Sequence, residues 1–161
     1  MKLKKKKIVE MLAILDQIIK RSKENESNFI ETINKIDPVY KKSAINFLHY
    51  LAFREKDLRD LQLKLGELGF SKLANAESNV INSVYSVRNL LRRLNKQKKE
   101  PKPKGILTKK KAAKLLREHT NLLLGKKLKD AKTRIMVTLP KEAAEDKNII
   151  PDLINAGMSA A

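Results

Sequence analysis

Between residues 8 and 94 apolar side chains return every three or four positions, a rhythm that admits little besides amphipathic helices. Ile8, Met11, Leu12, Leu15, Ile18 and Ile19 fall on one face of a first helix. Asn28 is placed to cap a short second helix carrying Phe29, Ile30, Ile33 and Ile36. Asp37-Pro38 is a start signal, an acidic acceptor followed by a proline whose missing N–H costs nothing in the first turn. Ile45, Leu48, Leu51 and Ala52 give the helix that follows its apolar face. Leu58, Leu61, Leu65 and Leu68 continue in a further helix, with Gly69 placed to end it. Asn75 can cap the next, whose stripe is Val80, Val84, Val87, Leu90, Leu91 and Leu94. Helices of this kind bury their stripes against one another. Residues 1–95 are therefore expected to form a bundle of four to five helices, and each of these apolar residues is assigned to packing.

Residues 96–107 change character. Lysines, two prolines and Gly105 make this stretch a basic, extended, solvated linker. Thr108 then caps a connecting helix over 108–125 that carries Leu115, Leu116, Leu122 and Leu123 and stops at Gly125. A second basic connector covers residues 126–132.

Charge follows the same divisions. The formal net charge is +18, but residues 8–87 hold eleven basic and eleven acidic side chains and balance. Residues 1–7 hold five lysines and no acid, and residues 88–134 hold eighteen basic side chains against three acidic. The larger surplus, over 88–134, reads first as a solvated, lysine-rich linker; the alternative is that it neutralises several phosphates of a nucleic acid. That stretch contains no phenylalanine, tyrosine or tryptophan on which a base could stack, so any such binding is expected to be nonspecific.

Several function classes drop out. Without cysteine there is neither a disulfide framework nor a thiolate site. His49 and His119 are too few and too far apart for a metal site, and no metal ligand is assigned. His49 reads as a core or boundary histidine with a hydrogen-bond partner. Glu142, Glu145 and Asp146 read as first-turn carboxylates favoured by a helix dipole, and Tyr40, Tyr50 and Tyr85 as packing residues. No apolar run approaches a membrane span and no secretory signal is present, so a cytoplasmic chain without membrane partners is expected.

The last stretch has a different rhythm. Thr133 to Leu139 contains Ile135, Met136 and Val137 in succession, suited to a strand buried on both faces. A helix ending at Gly157 follows, and then the first residues of a second strand. Strand, helix and strand imply a parallel pairing, which the chain stops short of completing. The expected fold class is mainly α: a helical bundle followed by a truncated β-α start of a β/α barrel over 133–161.

At these residues the sequence resembles pyruvate kinase. Thr133-Arg134-Ile135-Met136-Val137-Thr138-Leu139 is similar to the first barrel strand of that family, and Ala156-Gly157-Met158-Ser159-Ala160-Ala161 to its turn into the second strand. Asn46 to Ala52, Asp57 to Gln62, Leu65 to Gly69, Leu73 to Glu77 and Leu116 to Gly125 resemble the helical N-terminal extension of a bacterial pyruvate kinase-like subgroup. The resemblance implies a parent that transfers a phosphoryl group between phosphoenolpyruvate and ADP, with magnesium and potassium. The family's catalytic lysine, arginine and cation ligands would all lie beyond residue 161, so no catalytic residue and no cofactor is assigned here. Thr138 and Pro140 alone match the nucleotide-side loop, where the family's Thr-Ile-Gly-Pro is Thr138-Leu139-Pro140-Lys141. The expected function is an inactive N-terminal fragment of such a phosphotransferase. The alternative is a stand-alone basic helical module that binds nucleic acid nonspecifically through residues 88–134, or an interaction domain that docks on a barrel or on a second copy.

Overall fold

The computed structural model describes residues 2–70, 73–127 and 132–160, with side chains from Lys5 onward. Part of the second basic connector, residues 128–131, lies outside the described residues, as does Ala161 of the terminal motif. The chain forms two units, Met1–Ala113 and Lys114–Ala161.

In the first unit, α1 (Lys2–Asn28) packs against both α3 (Pro38–Arg54) and α5 (Val80–Leu94). The short α2 (Ile30–Lys35) and α4 (Arg59–Glu67) complete the set. The apolar periodicity accounts for the core: Ile8, Met11, Leu12, Leu15, Ile18 and Ile19 are all buried on α1. Leu61 and Leu65 of α4 and Val80, Val84, Val87 and Leu91 of α5 close over them. The Asp37-Pro38 start holds as well, since the Asp37 carboxylate accepts the Val39 N–H at 2.8 Å. Gly69 ends α4 at φ +76°, with the Phe70 N–H closing on the Leu65 carbonyl at 2.8 Å.

Two expected caps are not used. Asn28 is the last residue of α1, and the Phe29 N–H continues the helical pattern to the Asn25 carbonyl at 3.1 Å. Phe29 and Ile30 stay about half exposed, and only Ile33 of α2 is buried. Asn75 does not start α5 either. A 3₁₀ turn over Glu77–Asn79 intervenes, and the cap is supplied by Asn46 on α3. Its Oδ1 accepts the Val80 N–H at 3.0 Å while its Nδ2 donates to the Glu77 carbonyl at 2.7 Å.

The second unit contains the C-terminal part of α6 (Lys109–Leu124), a 3₁₀ turn over Lys141–Ala144 and α7 (Ile149–Asn155). α6 begins as read, with the Thr108 carbonyl accepting the Ala112 N–H, and stops at Gly125 with φ +70°. The expected first barrel strand is absent. Among the described residues there is no strand, only one parallel bridge between Met136 and Ala160. The Val137 N–H donates to the Ala160 carbonyl at 3.0 Å, and the Ser159 N–H to the Ile135 carbonyl at 2.8 Å. The reason is physical: a strand persists when a ladder satisfies it on its flanks and side chains cover its faces. Here Ile135 and Met136 are 48% and 65% exposed. The fold is mainly helical, and a truncated β/α barrel is not part of it.

Candidate nucleic-acid interface

The basic stretch divides into side chains that build the fold and side chains that face solvent. Arg88 belongs to the first group. Its guanidinium is mostly buried on α5 and reaches Asp16 of α1 on one side and Glu100 on the other. Burial opposes its charge, but the hydrogen bonds it donates to the two carboxylates more than offset that, and its pKa stands above the ordinary arginine value. Arg92 adds a second ion pair to Glu100 at 2.6 Å and donates from Nε to the Lys98 carbonyl at 2.8 Å. Asn89 clasps the Glu100 backbone both ways, accepting its N–H at 3.0 Å and donating to its carbonyl at 2.9 Å. Lys102 reaches Asn82 Oδ1 and Ser86 Oγ, each at 2.7 Å.

Residues 96–107 form neither helix nor strand, and Glu100 and Lys102 strap them along α5. These clamp residues were not singled out in the sequence. An acid isolated among lysines, opposite an arginine pair one turn apart, was the available signal.

The second group is exposed: Lys96, Lys98, Lys99 and Lys104 on the strap, and Lys109, Lys110 and Lys111 in the first turn of α6. None of these seven takes part in an ion pair among the described residues. The first turn of α6 contains no acid, so three ammonium groups crowd the positive end of the helix dipole. Lys110, Lys114 and Arg117 follow at steps of four and three and share one helix face. Lys114 also pairs with Glu118 at 3.5 Å, an exposed pair that constrains it little. Lys109, Lys110 and Lys111 thus form a cluster of cations with no ion-pair partner among the described residues, which an external anion would relieve.

Thr138 and Pro140 are both exposed. Pro140 precedes the 3₁₀ turn over Lys141–Ala144. Glu142, Glu145 and Asp146 are exposed, and the Asp146 carboxylate accepts the Asn148 N–H at 2.8 Å. No group of three or more metal-ligating side chains occurs among the described residues. No described helix is long and apolar enough to cross a membrane. His49 sits where the sequence put it: buried, with Nε2 at 2.5 Å from Glu26 Oε1.

Comparison with known proteins finds no matching family model, no matching curated protein and no matching solved structure. Together with the missing strand, this overturns the resemblance to pyruvate kinase. The quoted motifs are short helical and strand-like patterns that apolar spacing alone generates. Phosphoenolpyruvate, ADP, magnesium, potassium and the nucleotide-side role of Thr138 and Pro140 were implied by that resemblance alone, and no other observation speaks to them.

Proposed function

We propose that this chain binds nucleic acid without base selectivity, its exposed lysines between Lys96 and Lys111 gripping the phosphate backbone. The observation that supports it is the triple-lysine first turn of α6, exposed, free of acids and set at the helix end where cations are least favoured. Phosphates placed there meet backbone N–H groups, a favourable dipole end and ammonium groups together. Selectivity is not expected, because residues 88–134 offer no phenylalanine, tyrosine or tryptophan to stack on a base. Affinity then comes from counterion release and falls with salt.

Filter binding of unrelated DNA duplexes between 50 and 200 mM salt, a range of about fourfold, tests this. Log affinity should fall linearly with log salt, by about 0.9 for each phosphate contact. The K109Q/K110Q/K111Q variant should flatten that slope by about 2 to 3 and weaken all sequences alike. A salt-independent affinity, or a variant slope equal to that of the unaltered chain, overturns the assignment.

A further inference from the structure

Between α1, α3 and α5, under residues 103–107 of the strap, lies a cleft of about 350 Å³. That is at the small end of the roughly 300–1,000 Å³ range of ligand pockets. Its floor is apolar: Ile19, Ile81 and Tyr85 are each less than a tenth exposed, and the half-buried Ile45 and Ile106 extend it.

The polar groups of the wall are already engaged. The Ser22 hydroxyl donates to the Ile18 carbonyl at 2.8 Å, His49 is held by Glu26, and Asn46 caps α5. The charged rim carries three exposed lysines from three separate segments, Lys23 of α1, Lys42 of α3 and Lys104 of the strap, beside the Glu26 carboxylate that holds His49. None of the three is in an ion pair among the described residues. An inorganic anion would leave the isoleucine floor wet, and a neutral apolar molecule would leave the three lysines of the rim without a counter-charge. A molecule that satisfies both has an apolar body and one acidic head.

We infer that this cleft binds a small organic monoanion, its hydrocarbon or aromatic body on the Ile19, Ile45, Ile81 and Ile106 floor and its acidic head among Lys23, Lys42 and Lys104. The site is separate from the lysines at the start of α6, and its ligand is not a polymer.

Octanoate is the probe, with 1-octanol as its uncharged counterpart, followed by NMR of the isoleucine methyl groups in the full chain. Octanoate should shift the methyls of Ile19, Ile45, Ile81 and Ile106 saturably, and octanol should bind at least about tenfold more weakly. In K42Q/K104Q, which changes only exposed side chains and whose fold is checked by circular dichroism, octanoate affinity should drop about fivefold or more. K109Q/K110Q/K111Q should bind octanoate unchanged, which separates this site from the nucleic-acid reading. Unmoved floor methyls, equal affinity for octanol and octanoate, or undiminished binding by K42Q/K104Q would each overturn the proposal.

Discussion

Lys96 is the non-glycine residue that takes a left-handed conformation among the described residues, at φ +58°. It closes α5: its own N–H reaches the Arg93 carbonyl at 3.0 Å, and the Gln97 N–H reaches the Arg92 carbonyl at 2.8 Å. Gly69 does the same work after α4 at no steric cost, whereas an L-residue with a Cβ gives up about 1–2 kcal/mol there. Glycine's greater freedom in the unfolded chain returns part of the difference. Lys96→Gly should therefore raise the stability of the helical unit by about 0.5–1 kcal/mol, read as a higher urea midpoint at unchanged m-value. A lower midpoint would mean that the lysine contributes a contact beyond its backbone. Sequence spacing identified Gly69 and Gly125 as stops, because glycine announces the left-handed region. It gave no sign of Lys96, whose conformation is imposed by the strap that follows. Asn46 was equally silent, since a cap donated across 34 positions leaves no local pattern.

At the scale of elements, the strap converts a stretch that looks like a solvated linker into part of the helical unit. Glu100 is its fastening. The hydrogen bond from Arg88, aided by Arg92, holds the Glu100 carboxyl below its ordinary value, although the side chain is still partly open to water. A carboxyl with a depressed native pKa takes up its proton at lower pH folded than unfolded. Its contribution is therefore complete above the ordinary carboxylate value of about 4.5 and is lost as pH falls through the lower native value. Amide exchange or limited proteolysis at residues 96–107 should accordingly show the strap loosening as pH falls below the ordinary carboxylate value, while α5 stays folded. Glu100→Gln should loosen it at neutral pH and abolish that acid dependence. If the strap of the glutamine variant responds to acid as the unaltered chain does, another group fastens it.

The whole molecule is uneven in what it buries. Residues 8–91 hold a continuous core, whereas none of the described residues from 114 to 160 is buried. Leu116, Leu122 and Leu123 are 69%, 65% and 82% exposed, and Ile154 is 55% exposed. Backbone order without apolar burial has little to offset its conformational entropy. Amides of Leu15 to Ile19 and Val84 to Leu91 should exchange slowly, near the global unfolding limit, and those of α7 should exchange faster by at least about a hundredfold. Comparable protection in both places would show that residues 114–160 are stabilised by burial not present within them. The helical unit was legible because a stripe at steps of three and four has one way to leave water, and that is helix against helix. The sequence alone determined that stripe, the Asp37 and Thr108 starts, and the concentration of charge after residue 87. Tertiary structure decided the rest. It set which lysines and arginines are consumed in fastening Glu100, which asparagine caps α5, where the isoleucine-floored cleft opens, and that Ile135 to Val137 form a single bridge rather than a strand. Those outcomes depend on partners distant in the chain, and a one-dimensional pattern records a residue's appetite for burial or pairing without recording whether a neighbour arrives to meet it.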